Sequence, residues 1–166
     1  MIAAKMEISK HGPVAYVELT ISTNKPNQKP MSDKPECSGT PDMTPGIISW
    51  NEMVSRDPDG SKKFYSQLFG WKIETMNMGP GAEYAMMKAG DRPVGGLIRM
   101  PAEAGPAPTM WMSYVTVPNL EAAVAKAKAL GAKICKDATT LPMGRFAIIN
   151  DPQGATLGLW EFTKQG

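Results

Sequence analysis

The chain has 166 residues, 42% of them apolar and 20% charged, which allows one ordinary domain or two small repeats sharing a core and argues against wholesale disorder. Its 18 basic and 16 acidic residues leave a net charge of +2, with no electrostatic argument for nucleic acid or an anionic membrane. No apolar run approaches the ~20 residues of a membrane span, and MIAAKMEISKHG lacks the apolar core of a signal peptide. Two cysteines, Cys37 and Cys135, are too few for a disulfide framework, so a cytoplasmic location is expected. The single histidine, His11, excludes any zinc site needing two histidines from one chain.

Residues 1–46 read as an extension. They carry six prolines, and Thr23–Pro45 is almost wholly polar, Pro or Gly, as in a flexible linker. Within them Val14–Ser22 (VAYVELTIS) has the β-branched and aromatic content of a strand. Met31 opens an ordinary polar N-terminus, so Met1–Pro30 reads either as an appended segment or as an extra strand on the domain.

From residue 47 the texture is regular. Ile47–Ser55 reads as a strand. Asp57-Pro58 places an N-cap before a proline at the first helical position. Phe64, Tyr65, Leu68 and Phe69 share one helical face, and Gly70 ends the helix. Three strand-like runs follow, Trp71–Asn77, Tyr84–Lys88 and Val94–Met100, with a glycine turn at Gly79-Pro-Gly81. After a proline-rich spacer over 101–109 the pattern repeats. Met110–Val117 is a strand and Asn119 caps a helix with Leu120, Ala123, Val124, Ala127 and Leu130 on one face. Gly131 closes that helix. The last strands are Ala132–Lys136, Arg145–Asn150 and Thr156–Phe162, with an Asp151-Pro-Gln-Gly154 turn before the third.

The chain thus holds two strand–helix–strand–strand–strand units offset by about 61 residues, which align FGWKI (69–73) with LGAKI (130–134). The predicted fold is α+β: two paired βαβββ modules, 47–100 and 110–163, in one domain spanning 47–163. Their strands form an open, cup-shaped mixed sheet with the helices outside. The hollow is where a small molecule would sit.

The runs WNEMVSRDPDGSKKFYSQLFGWKI, GGLIRM, EAAVAKAKALGAKI and GRFAIINDPQGATLGLWEF resemble the vicinal oxygen chelate superfamily of glyoxalase I, extradiol dioxygenases and bleomycin- and fosfomycin-resistance proteins. The resemblance covers about residues 47–163 and rests on Asp-x(6)-Phe-Tyr-x(3)-Phe-Gly, the Asp-Pro-x-Gly turn and the duplication together. It implies the paired-module open barrel, and in metal-using members a divalent ion held in the cup by His, Gln or Glu. The ligand place seven residues before the helix-capping Asp57 is Trp50. Its counterpart is Met112 counting back from Asn119, or Trp111 by the module offset. The place seven residues after Asp151 is Gly158. The fourth falls in Val94–Met100, whose one charged residue is Arg99. These are not donors for a hard cation, so no metal ligand and no cofactor are expected. A relocated divalent site that includes Glu52 is the alternative.

The candidate ligand-binding residues are Trp50, Glu52, Tyr84, Met86, Trp111, Met112, Tyr114, Phe146, Gly158 and Trp160. Glu52 is the candidate catalytic residue, a carboxylate facing the hollow that could act as a base; a structural carboxylate bonded to backbone or Arg99 is the other reading. The tryptophans read as walls for a flat apolar ligand or as core filler. The thirteen methionines suit an adaptable lining or ordinary packing. Tyr65 reads as packing, Cys135 as inert, and His11 is given no catalytic role. Gly95-Gly96 permits close backbone approach.

The expected function is binding of a small organic ligand without metal, by sequestration or regulation. A metal-dependent lyase, isomerase or dioxygenase using Glu52 is the rival, and a non-catalytic interaction module with a filled cup is the third reading. Modules pair either within one chain or swapped in a homodimer; neither nucleic acid nor a membrane is an expected partner.

Overall fold

A computed structural model describes residues 43–78 and 83–163 in full, and Ala3–Ile8 and Ala15–Thr20 as backbone. The chain divides into two units, Met1–Cys37 and Ser38–Gly166. In the first, strands β1 (Ala3–Ile8) and β2 (Ala15–Thr20) pair antiparallel, with Ala3 opposite Thr20 and Ile8 opposite Ala15. The strand expected over 14–22 corresponds to β2. Its partner β1 was not expected: Met6 and Ile8 alternate with Lys5 and Glu7, a period-two signal too short and alanine-rich to stand out. The linker reading of 23–42, His11, Cys37 and the Gly79–Gly81 turn lie outside the described residues.

The second unit contains β3 (Ile48–Ser55), α1 (Pro58–Phe69), β4 (Lys72–Asn77), β5 (Glu83–Ala89) and β6 (Arg92–Arg99), then β7 (Met110–Thr116), α2 (Leu120–Ala129), β8 (Lys133–Leu141), β9 (Gly144–Asn150) and β10 (Thr156–Phe162). The eight strands form one mixed sheet in the order β4-β5-β6-β3-β7-β10-β9-β8. Within each module the first and last strands run parallel, β3 with β6 and β7 with β10, and every other pairing is antiparallel. The fold is the α+β duplicated βαβββ sheet. Among the described residues no helix is long and apolar enough to cross a membrane.

Local chemistry sets the helix ends. Asp57 accepts a hydrogen bond from Gly60 N at 3.0 Å and Asn119 accepts one from Ala122 N at 2.8 Å, each satisfying an amide that the first turn leaves without a partner. Glu161 on β10 accepts a further amide, Leu120 N, at 2.9 Å. Gly70 takes the left-handed conformation (φ 68°) that ends α1. Between the modules a 3₁₀ turn at Ala102–Ala104 is tied back by Arg56, whose guanidinium donates to Ala107 O (2.7 Å) and to Gly105 O.

Both helices cover one face of the sheet. Tyr65 packs over Met53, Ala85, Met87 and Leu97, and α2 packs over Ala147, Ile149 and Leu159 through Leu120, Ala123 and Val124. The expected apolar face of α1 is only partly turned inward. Pro58, Ser61 and Tyr65 form the line against the sheet, and Ser61 bonds the buried Ser55 at 2.7 Å. Phe64, Leu68 and Phe69 flank that line and stay more than half exposed. β8 runs beyond its expected end at Lys136 to Leu141, its pairing with β9 interrupted by register shifts after Ile134 and after Lys136.

Candidate functional site

Strand pairing at the sheet centre decides which residues meet. β3 and β7 pair with Trp50 opposite Tyr114 and Glu52 opposite Met112. Glu52 lies beside Gly96 on β6, and Tyr114 beside Gly158 on β10. Trp50 with Met112, Glu52 with Tyr114, and Gly96 with Gly158 are all 62 residues apart, as are the capping residues Asp57 and Asn119. An internal twofold axis between β3 and β7 therefore exchanges the two modules.

Because side chains alternate along a strand, Trp50, Glu52, Tyr84, Met86, Met112, Tyr114, Phe146, Gly158 and Trp160 all lie on the helix-free face. There Val54, Met112 and Tyr114 form a buried cluster with Trp50, Ile98, Met100, Phe146, Ile148 and Trp160 around it. Trp111 is the exception. It sits opposite Met53 on the helix face, donates from Nε1 to Tyr65 Oη at 3.0 Å and packs edge-on to Tyr65 and Trp71. The expectation that Trp111 lines the hollow is thus corrected. The register counted back from Asn119 is the right one: Asp57 to Gly70 spans one residue more than Asn119 to Gly131, so the 61-residue offset read after the helices is one short for the first strands.

Glycine makes room for the tyrosines. A Cβ at Gly96 would lie 2.0 Å from the Tyr84 hydroxyl, and one at Gly158 would lie 2.2 Å from the Tyr114 ring. Each ring therefore lies across a glycine strand, one per module. Gly144 does the same under Trp160, with a would-be Cβ 2.8 Å from the indole. Tyr114 packs edge-on to Phe146 and Trp160, which stack with centroids 6.3 Å apart. The Trp160 Nε1–H is buried and has no hydrogen-bond partner among the described residues.

The polar centre is Glu52, only 9% exposed. Tyr114 Oη donates to Glu52 Oε2 at 2.9 Å, and across β6 the Trp50 Nε1 of β3 donates to Tyr84 Oη of β5 at 3.1 Å. The expected alternative partner, Arg99, lies on the opposite face, level with Ser55. Burial pushes the Glu52 carboxyl above its ordinary range, and the Tyr114 bond opposes this more weakly. Burial, with the nearby Glu52 charge, raises the Tyr84 and Tyr114 phenols as well, so both stay protonated. Chemically, the centre offers one proton-accepting carboxyl and two phenols within aromatic walls.

Those residues do not fit a divalent ion. The four places that resemblance assigned to ligands bear indole (Trp50), thioether (Met112) and hydrogen (Gly158 and, by the 62-residue spacing, Gly96). Among the described residues no group of three or more His, Cys, Asp and Glu lies together. A separate surface groove of about 340 Å³, lined by Met53, Ser55, Ser61, Phe64, Tyr65 and Thr109 among others, opens on the helix face and includes none of the expected site residues.

The Glu52–Tyr114 bond itself was not anticipated. The 62-residue spacing of the two capping residues was the available signal, since it makes Glu52 and Tyr114 equivalent places on adjacent first strands.

A duplicated βαβββ sheet with one helix-free face defines the glyoxalase-like class of folds. The model of the Glyoxalase/Bleomycin resistance protein/Dioxygenase superfamily matches residues 47–159, and the chain belongs to that superfamily. It is 36% identical over 111 residues to "Putative glyoxylase CFP32" of Mycobacterium tuberculosis, a match covering 66% of this chain and 42% of that protein. It is 28% identical over 132 residues to the anthracycline biosynthesis protein DnrV of Streptomyces peucetius, covering 71% of this chain and 48% of that one. The chain therefore spans less than half the length of these curated relatives. Among solved structures, the hypothetical protein BH1468 of Bacillus halodurans has the same fold, with a TM-score of 0.52 at 14% identity over 73% of this chain and 97% of that chain.

Proposed function

We propose that the protein binds a flat organic molecule on its helix-free face, without a divalent metal. The observation that carries this reading is the aromatic wall of Trp50, Tyr84, Tyr114, Phe146 and Trp160 around a single carboxyl. Two of its rings, Tyr84 and Tyr114, approach glycines of the adjacent strands closely, where any side chain would displace them. Large aromatic side chains with a few placed polar groups are the usual lining of small-molecule sites. The likeness to a protein named for anthracycline biosynthesis points to polycyclic ligands. Here the protein's own groups hold the ligand by stacking and by the hydroxyl and carboxyl of the Tyr114–Glu52 pair.

The test is a titration with the neutral polycycle 9-anthracenemethanol, following tryptophan fluorescence and melting temperature. Saturable quenching with a raised Tm is expected, since a ligand that favours the native state stabilises it. Elemental analysis of the purified protein is the companion measurement. Stoichiometric nickel, zinc, iron or manganese, lost on Glu52→Gln, would overturn the metal-free reading.

One observation favours a second reading. A buried carboxyl with a raised pKa, bonded to a phenol, is equipped to take a proton from a bound carbon acid. Deuterium exchange into a bound ligand in D2O, followed by NMR and abolished by Glu52→Gln, would establish an enzyme.

A further inference from the structure

Glu52 has an electrostatic problem that the described chain does not solve. Its side chain is nine-tenths buried, and among the described residues its one side-chain partner is the neutral Tyr114. Among the described residues no lysine or arginine pairs with it. Lys88, on the same face of β5, is engaged at 2.5 Å by Glu74 of β4, and Arg99 points to the other face. The titratable groups packed around Glu52 are the two phenols, Tyr84 from β5 and Tyr114 from β7; the neighbouring positions on β6 and β10 are Gly96 and Gly158. A buried carboxylate without a cationic partner is costly. What does surround it is aromatic: Trp50 two residues away on its own strand, Tyr84 bonded to Trp50, and Tyr114 bonded to Glu52. Ring faces carry partial negative charge and attract cations, most strongly when both are desolvated.

We infer that the ligand is an organic cation, a protonated amine carried on a flat aromatic body, with its N–H groups donating to Glu52 and its charge against the faces of Trp50, Tyr84 and Tyr114. This rests on the proposed binding face and adds the charge of what binds there. The amine supplies the missing counter-charge, and the polycycle lies on the Phe146–Trp160 wall. Tyr114 keeps its bond to Oε2 and so holds the carboxylate in place. A primary or secondary ammonium suits this site better than a metal ion, because it needs one carboxylate and aromatic faces rather than three or more oxygen or imidazole donors.

Two probes of nearly equal shape test the inference: 9-(aminomethyl)anthracene, cationic at neutral pH, and the neutral 9-anthracenemethanol. Isothermal titration with the full chain should show the amine binding at least about tenfold more tightly, a difference of about 1.4 kcal/mol. The preference should persist in about 0.5 M salt, because a buried pair is screened less than surface charge. In Glu52→Gln the preference of amine over alcohol should fall below about twofold. If the alcohol binds and the amine binds no more tightly, the inference fails and the binding face stands. If the preference survives in Glu52→Gln, Glu52 is not its source and the inference fails. If neither probe binds, the proposed function fails and takes the inference with it. Should Glu52→Gln not fold, the wild-type comparison at low and high salt decides: an equal affinity, or a preference abolished by salt, overturns the inference.

Discussion

At Glu52 the requirements of folding and of binding diverge. Burial lifts its pKa above the unfolded value, so its contribution to stability is present below the unfolded pKa and is lost as pH rises through the folded one. Above that point the fold must hold a buried carboxylate with only a phenol to bond it. Glu52→Gln removes the charge and keeps a group that can accept from Tyr114. The variant is expected to be more stable than the wild type by about 1 kcal/mol at pH 8, with the difference shrinking toward pH 4. Urea denaturation at the two pH values checks this; a difference independent of pH would show that burial does not govern the group. A native protein less stable than its neutral variant is expected where a side chain is kept for a ligand. Glu52 could be singled out from the sequence as the carboxylate on the first strand. Its partner could not, because Tyr114 is 62 residues distant and arrives only through β3–β7 pairing.

Elements in this fold are set by two kinds of signal. Caps and turns are local: Asp57, Asn119, Gly70 and the turn at Asp151 act within four residues, and each was legible in the sequence. Strand glycines are not local. Gly96 and Gly158 read as weak points in β6 and β10 until the neighbouring strands bring Tyr84 and Tyr114 across them. Gly158→Ala should therefore cost more than an ordinary strand substitution, since its Cβ would lie 2.2 Å from a ring that is itself buried. A loss of about 2 kcal/mol and a fall in Tm of roughly 5 °C are expected. Thermal denaturation by circular dichroism checks this, and an unchanged Tm would mean that the Tyr114 ring turns aside freely. Helix α1 shows the same division. Its ends were legible, but the depth of its apolar face was not, because Ser55 draws Ser61 inward while Phe64 and Phe69 stay at the flank.

For the whole molecule, all eight strands of the large sheet and both helices belong to the unit Ser38–Gly166. A chain beginning at Ser38 is expected to keep its main melting transition within about 2 °C of the full chain, because it retains the three clusters that form the core. Differential scanning calorimetry of the two chains checks this; a much lower transition would show that residues 1–37 contribute to the stability of the sheet. What the sequence by itself determined is the duplication, the order of elements and the residue types that make a divalent site a poor fit. These follow from periodicity and turn chemistry over a few residues. Only the tertiary structure decided that Met112 rather than Trp111 joins Trp50, and that Glu52 meets Tyr114 across the internal axis. In a pleated strand one residue of register moves a side chain to the opposite face, and the spacing from capping residue to closing glycine is one residue shorter in the second module (Asn119 to Gly131) than in the first (Asp57 to Gly70), which is enough to hide that register from any reading of spacing alone.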